Sequence, residues 1–412
     1  MPKIHPFKAV RPTRDKVSLI ASRSYETYSS EERKSRMKAN PYSFLHIVNP
    51  GYKFHKEING AKRFQLVKNR YQEFKEDGVF MHEEQSCFYV YKIIDRDYQE
   101  FTGIIAAASV EDYENNVIKK HEDTLQHREE LFKEYLKVVG FNAEAVLLTY
   151  PDHDGIENII EDVMQSRAEY EFTTTYRDTH YLWPICDTER VEKIKAYFGE
   201  MPSIYIADGH HRSSSSMLLA KDLKDENPDH TGDEPYNFFM SYLIPESHLS
   251  IHAFSRMIKD LNGLSKEEFL IALDEVFKID NRKHEFYQSE KKHDFCMYLD
   301  GEFYELSLRQ RHYDFSNALD SLDAQILFKK VLEPILGIHD LRNDARIAYG
   351  KGKNNMIAVK EKVDRGDFKV GFSMLPATVS EVKDIADEGL RMPPKSTYIE
   401  PKLRSGVTIY EF

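Results

Sequence analysis

The spacing of apolar residues along the chain predicts strands that alternate with helices. Short runs of β-branched and aromatic residues predict strands, and apolar positions that recur every three or four residues predict helices. Strands are expected at 43–48, 87–94, 103–110, 145–150, 170–176, 180–185, 203–206, 237–244 and 368–374. Helices are expected at 60–76, 114–137, 187–198, 265–277, 316–336 and 378–389. This interleaving indicates a mixed α/β fold.

Local sequence signals predict where one of these helices begins and where a further hairpin turns. Ser265, with Glu268 three residues later, has the pattern of a capping box at a helix start. Residues 294–308 read as a β-hairpin that turns at Asp300-Gly301, because this dipeptide suits a two-residue turn. Both signals predict where an element begins or reverses.

Composition narrows the class of protein. The 412 residues are 41% hydrophobic and 31% charged, which is typical of a folded soluble protein of two or three domains. No apolar run is long enough to span a bilayer, and the N-terminus lacks a secretion signal, so the cytoplasm is the expected location. The net charge of −12 disfavours nucleic acid as a partner. The cysteines Cys87, Cys186 and Cys296 lie far apart, so we expect packing roles rather than a disulfide.

The stretch SIYIADGHHRSSSSMLLAKDL, residues 203–223, places a charged turn between a strand and a helix. Free N–H groups and the positive dipole at a helix N-terminus attract anions, and Gly209 lets a ligand approach the backbone. Arg212 can pair with phosphate oxygens, and Asp208 can hold the Mg²⁺ that accompanies a nucleotide. The turn is therefore a candidate anion site.

Simpler explanations of this turn stay open. An N-cap Asp followed by solvated polar residues accounts for the pattern about equally well. The serines at 213–216 can be small residues that pack in the first turn of the helix. A zinc site at His210 and His211 is disfavoured, because adjacent helical residues point about 100° apart.

Two further stretches carry candidate chemistry. In IKKHEDTLQHREEL, residues 118–131, helical spacing places His121 and Glu122 near the face that must be buried. Glu122 is therefore a candidate general base, and a helix surface with i,i+4 ion pairs is the alternative. In MPPKSTYIEPKLRSG, residues 392–406, the polar residues 395–397 lie on an extended segment that suits a small anionic or hydroxylated ligand. A proline-stiffened tail is the better-supported explanation from the pattern alone.

These stretches resemble motifs of free serine kinases, which belong to the ParB/sulfiredoxin-like superfamily. YIADGHHRSSSSMLLAK resembles their DGHHR signature, KKHEDTLQHREEL their His-Glu helix, and MPPKSTYIEPK their C-terminal Pro-Lys-Ser/Thr-Thr segment. RNDARIAYGKG, residues 342–352, also has a counterpart there. With FKAVRP and NPYSFLHI near the N-terminus, the motifs resemble a widespread bacterial family of uncharacterised function with an ADGHHR signature. That resemblance spans nearly the whole chain.

The resemblance implies an organisation and a reaction. It implies a ParB/sulfiredoxin-like nucleotide-binding core at 113–250, an N-terminal α/β region at 1–112, and a C-terminal α/β region at 251–412 that contributes a substrate-binding segment. The implied reaction transfers a phosphoryl group from ATP or ADP, with Mg²⁺, to the hydroxyl of L-serine and gives O-phospho-L-serine.

The resemblance also implies roles for individual residues. Glu122 would accept the serine hydroxyl proton, Asp208 would bind Mg²⁺, and His211 would join them in catalysis. The implied nucleotide-binding residues are Gly209, His210, His211, Arg212 and Ser213, and the implied substrate-binding residues are His121, Lys395, Ser396 and Thr397.

This sequence departs from the free serine kinase motifs at some positions, and other functions must be weighed against a kinase. The archaeal enzymes carry Arg-His after the two C-terminal hydroxyl residues, whereas this chain has Tyr398-Ile399. A sulfiredoxin is excluded because His210 stands where its catalytic cysteine would be. A ParB-like DNA switch is disfavoured by the acidic balance. A non-catalytic nucleotide or phosphoamino-acid-binding regulatory protein stays open, and the sequence does not indicate the oligomeric state.

Overall fold

The chain folds into two compact units. The computed structural model describes residues 1–352 and 355–412. Unit 1 contains Met1–Lys120, Thr124–Leu249 and Pro401–Phe412, and unit 2 contains His121–Asp123 and Ser250–Glu400. Both units contain sheets and helices, which confirms the predicted mixed α/β class. The expected division into three regions stays a prediction.

Unit 1 is built on a large sheet with helices between its strands. Its strands up to residue 249 are β1 (Ile4–His5), β2 (Val10–Pro12), β3 (Phe80–His82), β4 (Phe88–Ile94), β5 (Glu100–Ser109), β6 (Ile118–Lys119), β7 (Phe141–Asn142), β8 (Val146–Tyr150), β9 (Tyr170–Thr173), β10 (Thr179–Ile185), β11 (Ile204–Asp208) and β12 (Phe238–Pro245). Its helices are α1 (Val17–Ile20), α2 (Ser30–Ala39), α3 (Leu45–Val48), α4 (Gly60–Glu76), α5 (Val110–Glu114), α6 (Gln126–Val139), α7 (Asp154–Met164), α8 (Thr188–Glu200) and α9 (His210–Glu226).

The sheet of unit 1 brings distant parts of the sequence side by side. Nine strands pair in the order β6-β11-β8-β12-β5-β4-β10-β9, with β1 beside β5. The β11–β6 and β12–β8 pairs are parallel, and β11–β8 is antiparallel. β8 (VLLTY) is buried along its whole length, as expected for an apolar strand in the middle of a sheet covered on both faces. β11 ends at Asp208, so the charged turn begins at the C-terminal end of this strand.

Unit 2 is built on a smaller antiparallel sheet. Its strands are β13 (Ser250–His252), β14 (Ser255–Ile258), β15 (Phe277–Lys283), β16 (Asp294–Leu299), β17 (Glu302–Leu308), β18 (Ile347–Gly350), β19 (Val370–Met374) and β20 (Tyr398–Glu400), and its helices are α10 (Lys266–Asp274), α11 (Asp323–Leu327), α12 (Asn355–Asp364) and α13 (Val379–Asp387). Six strands pair in the order β15-β17-β16-β19-β14-β18, and β13 pairs with β20. The chain then returns to unit 1, where β21 (Tyr410–Glu411) pairs with β7.

The structure confirms the predicted local signals. The helix predicted at 60–76 is α4 (Gly60–Glu76). The capping box forms, because Ser265 accepts from the N–H of Glu268 and Glu268 accepts from that of Ser265. Asp300 and Gly301 both have positive φ, 52° and 82°, between β16 and β17. These signals act over a few residues, which is why the sequence alone reveals them.

Three predicted elements are wrong, two because of local hydrogen bonds and one because of pairing with a strand that is distant in the sequence. Residues 43–48 contain a helix rather than a strand, because the Ser43 hydroxyl accepts from the N–H of Leu45 and starts α3. The helix predicted at 316–336 begins only at Asp323, since hydrogen bonds between Asp320 and residues 316–317 form a turn instead. The helix predicted at 114–137 is interrupted, because Ile118–Lys119 pairs with β11 as β6. His121 and Glu122 therefore lie in a connector and not on a helix.

Two of the cysteines are linked. Cys87 and Cys186 form a disulfide with their Cα atoms 4.4 Å apart, and Cys296 is a buried free thiol. The expectation of packing roles rather than a disulfide is therefore wrong for Cys87 and Cys186. Disulfides persist mainly in oxidising compartments, and the cytoplasmic location stays a prediction. Among the helices of the described residues, none combines the length and apolar character needed to cross a bilayer.

Candidate functional site

The charged turn joins β11 to α9 through a glycine with positive φ. Gly209 has φ 105° and ψ 27° and is the N-cap of α9. The first helical hydrogen bond runs from the N–H of Ser213 to the Gly209 carbonyl. The N–H groups of residues 210–212 lie in the first turn of α9, before this bond. Gly209 makes no side-chain cap, and this end of α9 is the positive end of the helix dipole.

Asp208 stands between two cations at this turn. Arg212 Nη2 donates to its Oδ2 at 2.9 Å, and Lys402 Nζ donates to its Oδ1 at 2.8 Å. Burial alone would raise the pKa of Asp208, but the ammonium of Lys402 and the guanidinium of Arg212 outweigh it and hold the pKa below its ordinary value. The carboxylate is therefore ionised, and with 39% of its side chain exposed it can still meet a ligand.

Arg212 is also tied to the protein backbone. Its Nη1 donates to the carbonyl of Ala145, which precedes β8. The guanidinium thus links the start of α9 to the neighbouring strand while it neutralises Asp208. A guanidinium has five donors, so these two contacts leave capacity for a phosphate oxygen.

The two histidines of the turn have different surroundings. His210 is buried, with 4% of its surface exposed. His211 is half-buried, and its Nε2 accepts from the N–H of Leu125 at 3.1 Å, at the start of α6. An accepting Nε2 places the proton of the neutral ring on Nδ1. His211 therefore fixes the start of α6 against the start of α9.

The four serines of α9 are buried, and Ser213, Ser214 and Ser215 form hydrogen bonds within unit 1. Ser213 Oγ donates to the Gly209 carbonyl at 3.3 Å, and Ser215 Oγ donates to the His211 carbonyl at 2.6 Å. Ser214 Oγ donates to Glu129 of α6 at 2.5 Å. This arrangement matches the small-residue packing that the sequence left open. The role of Ser213 in nucleotide binding stays a prediction.

The predicted substrate residues His121, Lys395, Ser396 and Thr397 all belong to unit 2. The N–H of Met392 donates to the His121 carbonyl at 2.8 Å, and Arg391 lies 3.5 Å from the Asp123 carboxylate. Arg342 Nη2 donates to the Asp123 carbonyl at 3.0 Å. The segment 121–123 thus packs beside the start of the 392–397 stretch and beside the RNDARIAYGKG motif. Three segments that are far apart in the sequence form one neighbourhood.

The 392–397 stretch contains a turn at Pro394 and Lys395. Lys395 has φ 58°, a left-handed conformation that is uncommon for a residue with a side chain. Ser396 is buried, and its Oγ donates to the Pro393 carbonyl at 2.6 Å. Thr397 is half-buried and Lys395 is exposed. The predicted extended segment is therefore wrong at Lys395, and the proline-stiffened tail stays a prediction.

The predicted site residues are divided between the two units. Unit 1 holds the turn at 208–213, and unit 2 holds His121, Glu122 and the residues 395–397. Sequence reasoning missed Lys402, which meets Asp208 across 194 residues of sequence. It also missed a buried Arg404 in the same C-terminal segment. The available signal was that both basic residues belong to the 392–406 stretch already singled out.

Arg404 belongs to a buried polar network in unit 1. It pairs with Asp178, and its Nε donates to His180 Nε2 at 3.4 Å. His180 Nδ1 lies 2.9 Å from the Tyr91 hydroxyl. Burial, with a smaller effect of Arg404, lowers the pKa of His180 to about 3. The His180 ring is therefore neutral in the folded protein at neutral pH.

This network predicts a loss of stability in mild acid. Between pH 6.5 and pH 3 the unfolded state binds a proton at His180 that the folded state refuses, so the free energy of unfolding falls by about 1.4 kcal/mol per pH unit from this group. Urea unfolding at pH 5, 6 and 7 measures the slope, and His180→Gln is expected to remove this part of it. Equal slopes for the two proteins would contradict the assignment.

Gly209→Ala is expected to destabilise the protein by about 1–3 kcal/mol. An L residue is strained at φ 105°, and a Cβ there would lie 3.2 Å from the Arg212 guanidinium. Urea unfolding measures the change. The matched control is Gly199→Ala in α8, where a Cβ would meet no described atom within 4 Å. A Gly209→Ala protein as stable as the control variant would show that the turn does not need glycine.

The fold and the turn define a mixed α/β chain with a charged junction between a strand and a helix. Residues 4–325 match the family described as "Protein of unknown function (DUF1015)", and the chain belongs to this family. No curated protein matches the chain.

Some solved structures are distantly similar to this chain. A free serine kinase in complex with AMP is 13% identical, with a TM-score of 0.38 over 74% of this chain and 91% of that chain. A conserved hypothetical protein from Pyrococcus furiosus is 12% identical, with a TM-score of 0.35 over 74% and 93%. SbnI from Staphylococcus aureus with a C-terminal truncation is 12% identical, with a TM-score of 0.39 over 74% and 85%. At these scores the likeness carries no inference about activity.

Proposed function

We propose that this protein is a Mg²⁺-dependent free-serine kinase that uses ATP or ADP and produces O-phospho-L-serine. The observation that carries the proposal is the turn at Asp208-Gly209, where an ionised carboxylate flanked by Lys402 and Arg212 adjoins the N-terminus of α9. The motifs shared in order with free serine kinases support serine as the acceptor. We place the nucleotide-binding part in the ParB/sulfiredoxin-like class on the same resemblance.

Nucleotide phosphates would bind at the start of α9. Its first N–H groups and its dipole favour a phosphate, and Arg212 and Lys402 add positive charge beside it. His210, His211 and the first-turn Ser213 complete the predicted phosphate-binding set. Phosphoryl transfer depends mainly on positioning and on neutralising charge, and these groups supply both.

Asp208 fits one of the ways in which proteins hold Mg²⁺. This ion commonly takes one or two carboxylates together with substrate phosphates. Each Oδ of Asp208 accepts one hydrogen bond from the protein and has a further lone pair. Among the described residues no group of three or more His, Cys, Asp or Glu could hold a metal ion alone, so nucleotide phosphates would complete the coordination. When bound, Mg²⁺ would neutralise charge on the transferred group.

Glu122 would act as the general base. As the serine Oγ forms a bond to phosphorus, the bond from phosphorus to the bridging oxygen of the nucleotide breaks, and the hydroxyl proton passes to the Glu122 carboxylate. Glu122 is half-buried in a segment whose backbone is held by Met392 and Arg342. Lys395, Ser396 and Thr397, on the adjoining stretch, would contact the acceptor together with His121.

Titration and donor consumption test the proposal. Calorimetric titrations of the full chain with Mg-ADP and with a non-hydrolysable Mg-ATP analogue should show binding. Consumption of one of the two donors should then depend on L-serine, which identifies the donor. Binding without serine-dependent consumption would favour the non-catalytic regulatory protein, and absence of binding would contradict the assignment of the turn.

A further inference from the structure

Unit 2 contains a cavity of about 630 Å³ beside the loop that joins β15 to β16. Most of its lining residues lie between positions 282 and 291, and Asp294 of β16 and Glu305 of β17 complete the wall. Glu285 and Phe286 in this wall are exposed, so the cavity is open to solvent. Its volume is in the range of sites that bind small molecules.

Asp294 is nearly buried at this cavity, with 9% of its surface exposed. Its backbone is held on both sides, because its N–H donates to the Lys291 carbonyl at 3.3 Å and its carbonyl accepts from Ser289 Oγ at 2.7 Å. In the part of the chain that the structure describes, no group lies within hydrogen-bond or ion-pair distance of the Asp294 carboxylate. A carboxylate in this position is stabilised by a cation from outside the protein.

The other charged residues of the cavity leave Asp294 unbalanced. Arg282 is engaged with Glu305, since its Nε donates to Glu305 Oε2 at 3.0 Å, and its guanidinium carbon lies 5.3 Å from the centroid of the Tyr287 ring. The remaining charged lining residues are Glu285, Glu290, Lys291 and Asp294. Three acids and one base give the cavity a negative charge, which attracts a cation.

Aromatic rings give the cavity an apolar wall. The ring of Phe286 packs edge-on against that of Phe303, with centroids 5.5 Å apart, and 51% of the Phe286 surface is exposed. Burial, followed by the charges of Glu305 and Asp294, raises the pKa of Tyr287, so the Asp294 charge acts on this phenol. A single exposed phenylalanine is ordinary, but this one lines the same cavity as an unpaired carboxylate.

We infer that this cavity binds a small organic ammonium cation with an apolar body, whose N–H groups donate to the Asp294 carboxylate and whose body packs on the Phe286 ring. A carboxylate accepts strong hydrogen bonds from an ammonium group, and aromatic faces attract cations. An inorganic cation would use the carboxylate but not the ring. None of the residues assigned to the proposed kinase reaction lines the cavity, so this site stands whether or not the chain is a kinase.

Calorimetric titration of the full chain with four separate probes tests this site. The probes are phenethylamine, hexylamine, phenethyl alcohol and calcium chloride. Both amines are expected to bind. Phenethylamine should bind at least about 10-fold more tightly than phenethyl alcohol, which has the same apolar body without the charge. Absence of binding by both amines, or equal affinities of phenethylamine and the alcohol, would overturn the inference.

Two variants separate the charge from the ring. Asp294→Asn keeps the shape and removes the charge, so it should weaken phenethylamine by about 10-fold or more. Phe286→Ala removes the exposed ring and should weaken phenethylamine by about 5-fold. The matched control is Asp367→Asn, which neutralises an exposed carboxylate of unit 2 outside the cavity lining and should leave the affinity unchanged.

Three results would contradict the assignment. Unchanged phenethylamine affinity in Asp294→Asn would remove the carboxylate from the site, and an equal loss in Asp367→Asn would show a general effect of net charge. Calcium binding that Asp294→Asn abolishes, with phenethylamine unaffected by Phe286→Ala, would assign the acids to an inorganic cation. If Asp294→Asn does not fold, Phe286→Ala decides, since a loss of about 5-fold supports the site and unchanged affinity overturns it.

Discussion

Asp208→Asn is expected to lower the rate of O-phosphoserine formation by about 100-fold or more. The amide has the shape of the carboxylate but no charge, so it can neither hold Mg²⁺ with the nucleotide phosphates nor balance Lys402 and Arg212. Initial rates at saturating donor and L-serine measure the effect.

The matched control for Asp208→Asn is Asp225→Asn, an exposed carboxylate of α9. It should retain the wild-type rate. If Asp208→Asn were as active as the control, the turn would have no part in the reaction. An unfolding midpoint close to the wild-type value would show that the loss concerns the site rather than the fold.

Glu122→Gln is expected to lower turnover by about 10²- to 10⁴-fold while leaving nucleotide affinity unchanged. The amide cannot accept the serine hydroxyl proton, whereas the phosphate-binding groups of the turn at 208–213 stay intact. Turnover is measured as serine-dependent donor consumption, and affinity by calorimetry.

The neighbouring carboxylate provides the control for Glu122→Gln. Asp123 belongs to the same three-residue segment, is mostly exposed and lies 3.5 Å from Arg391. Asp123→Asn should therefore have a small effect on turnover. Equal activity of the wild-type protein and Glu122→Gln would show that Glu122 is not the general base. Loss of nucleotide affinity in that variant would show that the residue supports binding instead.

Much of the local structure could be predicted because its causes are local. The amphipathic helix at 60–76, the capping box at Ser265 and the turn at Asp300-Gly301 each depend on residues a few positions apart. The turn at Gly209 could be found in the same way, because a strand, a glycine and a helix follow one another in the sequence.

The features that could not be predicted from the sequence depend on contacts between distant residues. Helical spacing in 118–131 predicted a helix, but pairing of Ile118–Lys119 with β11 removed its first part. Lys402 meets Asp208 from 194 residues away. Arg256 stands in an otherwise apolar strand, where nothing in the sequence shows that its guanidinium reaches the Lys395 carbonyl. Such partners have no pattern that a single sequence could display.

Phosphorus NMR of the full chain with Mg²⁺, L-serine and either ATP or ADP is the direct test of the proposed serine kinase activity. A new resonance of O-phospho-L-serine is expected with one of the two donors. It should require L-serine and should be absent with Asp208→Asn. A spectrum in which both donors persist unchanged beside L-serine, from a folded protein that binds nucleotide, would contradict it.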